Sequence, residues 1–254
     1  MEYRVAQLNY TVVWLDDARR VRDNAPPVSV KLAGFDCHLH GAELVARPED
    51  DYGDEYAARA ALEPVLQGWE ANSEVMNDLP FRFEFSGSRL ELAAPQSVGT
   101  QAFAEVALAI AAALDATAHI LHGEFPKPDP TIAIEGPVTA QLRSRWRQMR
   151  QGREPLTSFA YWAFTKIRSE FDSGSAKAGS ILNISGPVLR KLSELSTVPD
   201  PKLGRKAEAQ GRKLTDRELA WLKAVLPALI RRVMERENGF VNAQQITMAD
   251  LPTL

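Results

Sequence analysis

A helical pattern between Leu156 and Phe171 sets the strongest limit on how this chain folds. Its apolar residues recur at helical spacing and form one wide stripe: Leu156, Phe159, Ala160, Ala163, Phe164, Ile167 and Phe171. Gly152 ends the preceding segment, and Pro155 suits a first helical turn, where a missing N–H costs little. A stripe that carries three Phe must be covered, so we expect the later helical segments to pack against it.

Two further helices are predicted on either side of this stripe. Leu142, Trp146 and Met149 make one apolar face of a preceding helix. The last helix begins at a capping box of Thr215 and Glu218 and ends before Gly239. We therefore predict that residues 131–254 form a helical region.

The N-terminal region has the alternating pattern of strands. Strands are predicted at 3–15, 28–32 and 35–46, because these segments are rich in β-branched and aromatic residues. Residues 80–92 predict a hairpin that turns at 86–88, where Ser-Gly-Ser interrupts two alternating runs.

One helix interrupts these strands. Asp54 can cap it, and the apolar spacing continues to about Asn77. Pro64 lies inside the pattern, so the helix either kinks or begins there. Residues 103–123 fit a helix by alanine content and a strand by their last residues, and the sequence leaves both open.

Together these patterns predict an α+β protein, in which a strand-rich N-terminal half with one helix is followed by an all-helical C-terminal half. The proline-rich stretch Phe125 to Pro130 reads as a stiff linker. We place a domain boundary there, between residues 1–130 and residues 131–254.

Charge is divided unevenly along the chain. Residues 1–136 carry 10 basic and 22 acidic side chains, a net charge of −12, whereas residues 137–236 carry 20 and 9, a net charge of +11. Such asymmetry favours either a basic half that meets an anionic partner or two halves that attract each other.

Composition restricts the setting of the protein. Cys37 is the single cysteine, so an internal disulfide is impossible and a reducing compartment is expected. No signal peptide or membrane-length apolar run is visible. We expect a cytoplasmic protein without a membrane partner, and no cofactor is predicted.

Residues 175–195 have the spacing of a helix-turn-helix. Its inward positions match five apolar residues: Ala178, Leu182, Ile184, Leu189 and Leu192. Gly179 supplies a small residue where two helices would cross, and Asn183 suits a left-handed turn position. The alternative is a short helical hairpin that only covers the helix at 156–171.

A nucleic-acid surface is the functional hypothesis that this spacing suggests. The candidate contact residues are on the second helix of the segment and in the long basic loop after it: Ser185, Arg190, Lys191, Lys202, Arg205, Lys206, Arg212 and Lys213. Lys and Arg suit phosphates or guanine edges. The loop lacks an aromatic residue for stacking on bases, and a solvated loop is the alternative.

Two histidine pairs form a second hypothesis. His38 and His40 would share one face of a strand, and His119 and His122 would share a helix face. A metal site requires that the fold joins the pairs, and it fails if residues 103–123 form a strand.

Catalytic patterns are sparse. Arg153 and Glu154 could act as a charged catalytic pair, but a carboxylate near a helix N-terminus is also favoured by the helix dipole. We find no phosphate-binding glycine loop, nucleophile elbow, metalloprotease helix or zinc-finger spacing. These observations favour a non-enzymatic role.

Several phrases in both halves carry a resemblance. They include Glu63 to Leu66, Phe81 to Phe85, Gly152 to Leu156, Asn183 to Ser185 with Val188 and Leu189, and Leu214 to Glu218 with Trp221 and Leu222. These phrases resemble a family of uncharacterised bacterial proteins of similar length. The resemblance implies that both halves recur as one unit, and it implies no activity or site residue.

The leading prediction is therefore a binding or regulatory protein whose basic half contacts DNA or RNA. One alternative is a protein-interaction or stress-response module in which halves or copies, as in a homo-oligomer, pair by opposite charge. A metal-dependent hydrolase that uses the histidine pairs is the remaining alternative.

Overall fold

The computed structural model describes residues 3–16, 19–21, 25–92, 120–171, 175–198, 212–240 and 244–254. The chain divides into two compact units. The first contains Met1–Glu63 and Pro80–Lys127, and the second contains Pro64–Leu79 and Pro128–Leu254. The segment 103–123, for which helix and strand were both left open, lies outside the described residues up to residue 119, and its described part Ile120–His122 is a strand.

The first unit is built mainly from strands. They are β1 (Tyr3–Trp14), β2 (Arg19–Val21), β3 (Val28–Leu32), β4 (Phe35–His40), β5 (Glu43–Pro48), β6 (Phe81–Leu92) and β7 (Ile120–His122). Five of them form an antiparallel sheet in the order β3-β4-β5-β1-β6, and β2 pairs with β7 in parallel. Alternate residues such as Leu8, Tyr10 and Val12 are buried, which gives this sheet one apolar face.

Two turn predictions in this sheet need correction. The predicted hairpin at 80–92 is wrong, because Phe81–Leu92 is one continuous strand beside β1. Gly87, with φ of +154°, lies where the register between the two strands shifts, so its freedom absorbs an irregularity in the ladder and makes no turn. The single strand predicted at 35–46 is in fact two strands, since the chain reverses at Gly41 with φ of +58°.

The predicted N-terminal helix is observed as α1 (Glu55–Met76). The Asp54 carboxylate accepts a hydrogen bond from the backbone N–H of Ala57 at 2.7 Å, which confirms the cap. Pro64 lies within the helix, which is continuous through it. In the first unit, the guanidinium of Arg59 lies 4.1 Å from the ring centroid of Phe85.

The second unit is helical. Besides the later part of α1 it contains α2 (Pro137–Arg150), α3 (Leu156–Glu170), α4 (Ser175–Ile181), α5 (Gly186–Ser196), α6 (Asp216–Glu237) and a 3-10 helix at Met248–Asp250. Six of the seven residues of the predicted apolar stripe are buried on α3, which contacts α2, α4, α5 and α6, and the seventh, Phe171, is partly buried at the C-cap of the helix. Ala71 and Val75 of α1 belong to the same core.

The last long helix begins as predicted. Thr215 and Glu218 form the reciprocal hydrogen bonds of a capping box at the start of α6, and Asn238 ends the helix. The antiparallel sheet followed by this helical region confirms the predicted α+β class. Among the described residues, no helix combines the length and the apolar character needed to cross a bilayer.

Candidate nucleic-acid interface

The short helices α4 and α5 pack as a pair joined by the turn at 182–185. The five residues that the sequence placed on the inner face of this segment are each at most 3% exposed: Ala178, Leu182, Ile184, Leu189 and Leu192. The α4–α5 pair is therefore fixed to the helical core by all of them, and it packs against α3 and α6.

Two residues make the sharp turn between these helices possible. A Cβ at Gly179 would lie 2.9 Å from the carbonyl oxygen of Ile184 and 3.0 Å from Cδ1 of Leu189, so a larger residue would push the helices apart. Asn183 has φ of +51°, in the left-handed region that Asn tolerates better than most residues. Both residues have the local roles that the sequence indicated.

The outer face of α5 is the part of the pair that reaches solvent. Gly186, Pro187 and Arg190 are exposed. The ammonium of Lys191 lies 2.9 Å from the carboxylate of Glu194, one turn along the same face. Arg190 has no ion pair in the part of the chain that the structure describes, so it is the cation on α5 with an unmatched charge.

Ser185 precedes α5 at the N-cap position without capping it through its side chain. Its hydroxyl oxygen is buried and has no hydrogen-bond partner among the described residues. Ser185 is thus adjacent to the outer face of α5, but its hydroxyl is shielded from solvent.

Arg212 and Lys213 lead into α6. Arg212 donates two hydrogen bonds of 2.7 Å to the carboxylate of Glu218. This bidentate pair, with the backbone N–H of Thr215, lowers the pKa of Glu218 to about 2. The pKa of Arg212 is raised, mainly by Glu218 and to a smaller extent by the charge of Glu194, so Arg212 lies within electrostatic reach of α5.

The other predicted contact residues belong to the sequence between α5 and α6. Lys202, Arg205 and Lys206 lie outside the described residues, and their role stays a prediction. Lys213 is exposed at the end of that loop. The structure therefore places Arg190 and Lys191 on α5 and Arg212 just before α6, and carboxylates accompany Lys191 and Arg212.

The arginines of α2 have a different environment. Arg147 donates to the carboxylate of Glu74 at 2.8 and 2.5 Å, and Arg143 donates to Glu135 at 2.7 and 2.6 Å. Both carboxylates are buried, with side chains 4% and 8% exposed. The hydrogen bond to Glu74 is the main cause of a raised pKa of Arg147.

The other two α2 arginines also have acidic partners. Arg150 donates to Asp78 at 2.5 Å, and Arg145 pairs with Glu154 while lying 4.4 Å from the ring centroid of Trp162. Glu154 is therefore part of a structural pair, which argues against the catalytic interpretation of Arg153 and Glu154.

Because of these ion pairs, the net charge of residues 137–236 overstates the basic charge of the helical unit. Glu70, Glu74 and Asp78 precede the predicted boundary, yet they belong to the helical unit. That unit contains 20 basic and 16 acidic side chains, a net charge of +4, against +11 for residues 137–236 alone. A large part of the apparent basic excess is matched inside the helical unit.

The C-terminal segment adds a feature that sequence reasoning missed. Ile246 forms a parallel bridge with Ile184, in which Ser185 N–H donates to Ile246 O at 2.9 Å and Ile246 N–H donates to Asn183 O at 3.0 Å. The one local signal for order in this segment is the Thr247–Asp250 capping box. The segment therefore lies against the turn that leads into α5.

The predicted histidine site is only partly described. His38 and His40 are exposed on one face of β4, and Nδ1 of His38 lies 2.9 Å from the Ser29 hydroxyl. His119 and the side chain of His122 are outside the described residues. Among the described residues, no group of three or more potential ligands could hold a metal ion.

The thiol of Cys37, the single cysteine, is unreactive. Burial raises the pKa of Cys37 to about 12, which keeps it protonated at neutral pH.

No protein-family model, curated protein or solved structure matches this sequence.

Proposed function

We propose that this protein binds double-stranded DNA and that α4 and α5 act as a helix-turn-helix, with α5 as the helix that enters the major groove. The observation that carries this proposal is the geometry of the α4–α5 pair. All five inner positions are buried, the helices cross at Gly179, and the turn has a left-handed Asn183.

The outer face of α5 supports this role. In a helix-turn-helix the N-terminal part of the second helix meets the bases. Gly186 and Pro187 are exposed on that first turn, and neither has a side chain that can hydrogen-bond to a base, so the fit to the motif is incomplete there. Arg190, one turn later, has an unmatched charge that suits a phosphate or a guanine edge.

DNA is favoured over duplex RNA by the dimensions of the two grooves. The major groove of B-form DNA admits an α-helix, whereas that of A-form RNA is too narrow. An RNA partner would thus have to be bound by another surface. Titrations with duplex DNA and duplex RNA of the same sequence separate these two outcomes.

The proposal is tested by fluorescence anisotropy with labelled mixed-sequence duplex DNA at several salt concentrations. We expect affinity to fall with rising salt, as counterions compete for the phosphates. Arg190→Ala should weaken binding and reduce the slope of log K against log salt by about 1 if Arg190 meets a phosphate. Arg153→Ala is the matched control, since Arg153 is exposed outside the α4–α5 pair.

Two results would contradict the proposal. The first is wild-type protein that does not bind duplex DNA even at low salt. The second is equal weakening by Arg190→Ala and Arg153→Ala, which would indicate a diffuse charge effect. Light scattering across the same salt series tests the alternative of charge-driven self-assembly, which predicts a salt-dependent mass without DNA.

A further inference from the structure

We infer that the C-terminal segment Gln244–Leu254 is part of the DNA-contacting surface and that Gln245 contacts DNA beside the N-terminal end of α5. This inference rests on the proposed function and extends it to a second, distant stretch of sequence. Gln245 adds a neutral hydrogen-bonding side chain to a surface whose predicted residues are mostly cations.

The first step is that the segment is hydrogen-bonded to the turn of the α4–α5 pair. Ser185 N–H and Asn183 C=O, on either side of Ile184, both pair with Ile246. Ser185 directly precedes α5, so the segment is held within one residue of the helix that the proposal places in the groove. Backbone hydrogen bonds of this kind fix position as well as distance.

The second step is that the segment is anchored along its length. Arg232 of α6, which is 8% exposed, pairs with Glu235 at 2.9 Å and donates to the carbonyl oxygen of Gln244 at 2.5 Å. The Asp250 carboxylate accepts hydrogen bonds of 2.8 Å from the backbone N–H and from the hydroxyl of Thr247 at the start of the 3-10 helix. Four apolar side chains of the segment pack against the helical core: Ile246, Met248, Leu251 and Leu254.

The third step concerns the direction of the side chains. Ile184 and Ile246, which face each other in the bridge, both pack in the core. Successive side chains of extended backbone point to opposite sides, so Gln245 projects away from the core next to Ile246. Its exposure agrees with this direction.

The chemistry of Gln245 complements that of α5. A glutamine amide can donate and accept at once, which allows paired hydrogen bonds to adenine or single bonds to phosphate and sugar. Gly186 and Pro187 have no such group on the first turn of α5. The segment therefore supplies, beside that turn, the type of side chain that α5 lacks there.

The test compares Gln245→Ala with Gln141→Ala, an exposed glutamine on α2. Each variant and the wild type are used to select sequences from a randomised duplex DNA pool, and affinity for the selected duplex is measured by anisotropy. We expect Gln245→Ala to weaken binding by about fivefold or more and to relax preference at one or two base pairs. Gln141→Ala should match the wild type in both.

A second variant tests the bridge without DNA. Ile246→Pro removes the N–H that donates to Asn183, so amide hydrogen exchange at Ser185 should become faster in the free protein, with the melting transition still cooperative. The same variant should also bind the selected duplex more weakly.

The outcomes separate this inference from the proposed function. Wild-type protein that does not bind DNA overturns the proposed function and, with it, this inference. DNA binding that is weakened by Arg190→Ala but unchanged by Gln245→Ala and Ile246→Pro overturns this inference alone.

Discussion

The arginines of α2 and the cations of α5 lie in one helical unit but have opposite environments. Each of the four α2 arginines has an acidic partner, and Glu74, Glu135 and Glu154 among those partners are less than 10% exposed. On α5, by contrast, Arg190 is exposed and Lys191 pairs with a solvent-exposed carboxylate. The α2 arginines therefore hold the fold together, and the α5 cations are available to an anion.

This contrast shows why charge counted along the sequence is a poor guide to a binding surface. A cation that is already matched by a buried carboxylate would lose that partner on binding a phosphate, and a buried pair is costly to break. An exposed cation gives up only water and loosely held ions. For a binding surface, the location of the unmatched charge therefore matters more than the net charge.

The largest expected effect is a loss of stability when a buried carboxylate that pairs with the α2 arginines is neutralised. Glu74→Gln leaves Arg147 and Arg143 beside a neutral group at a site where the Glu74 side chain is 4% exposed. We expect a loss of about 3 kcal/mol in the free energy of unfolding, measured by urea denaturation. Glu170→Gln, in the exposed pair with Lys166, should cost at most about 0.5 kcal/mol.

The Glu74→Gln variant also tests whether α2 takes part in DNA binding. Under conditions in which Glu74→Gln remains folded, its affinity for duplex DNA should equal that of the wild type. Stronger DNA binding by Glu74→Gln would mean that α2 arginines released from Glu74 take part in binding.

The next effect concerns the crossing of α4 and α5. Gly179→Ala places a methyl group 2.9 Å from the backbone oxygen of Ile184, which must move. We expect a destabilisation of about 1–3 kcal/mol and weaker DNA binding, since α5 would be displaced. Gly186→Ala, where a Cβ meets nothing within 4 Å, is the control for stability and should stay within about 0.5 kcal/mol.

A third effect depends on pH and concerns the capping box of α6. The folded-state pKa of Glu218 is lowered to about 2, mainly by Arg212, whereas an unfolded Glu has a pKa of about 4.3. The charged carboxylate thus stabilises the fold above about pH 4.3, and this contribution is lost as the pH falls toward 2. Glu218→Gln should lower the urea midpoint at pH 6 and approach the wild type near pH 2.

A difference between the two proteins that is constant from pH 6 to pH 2 would contradict this account. Because glutamine can keep the capping hydrogen bond to the backbone of Thr215, the comparison isolates the charge of Glu218 from the cap itself.

The smallest expected effect is on the α5 surface. Glu194→Gln removes the carboxylate that accompanies Lys191 and would repel a phosphate. We expect the affinity for duplex DNA at low salt to rise about two- to fivefold, in line with the strength of exposed ion pairs. Anisotropy titrations measure this change, and an unchanged or lower affinity would mean that Glu194 does not face the DNA.

Local sequence signals predicted the elements of the helical unit well, because these elements depend on interactions between residues that are close in the sequence. The stripe on α3, the box at Thr215 and Glu218, and the turn at Asn183 each depend on residues a few positions apart. The failed hairpin at Gly87 shows the limit of such signals. A glycine between alternating runs fits a turn and a bulge equally, and the long partner strand β1 decides between them.

Long-range features could not be predicted in this way. Glu74 and Arg147 pair although they are 73 positions apart in the sequence. Ile246 forms a bridge with Ile184 although the whole of α6 lies between them in the sequence. No spacing rule connects such residues, because only the packing of helices brings them together. The C-terminal segment beside α5 and the acidic partners of the α2 arginines could therefore be identified only from the fold.

Hydrogen–deuterium exchange with and without duplex DNA distinguishes α2 from α5 as the site of DNA binding, since it reports on both helices in one experiment. We predict that DNA slows amide hydrogen exchange at residues 184–192, which include the inter-helix turn and the first two helical turns of α5. Exchange should also slow at residues 244–247. Exchange in α2, residues 137–150, should stay the same. Slower exchange in α2 without a change in α5 would contradict the claim that α5, with its unmatched Arg190, forms the DNA-binding surface.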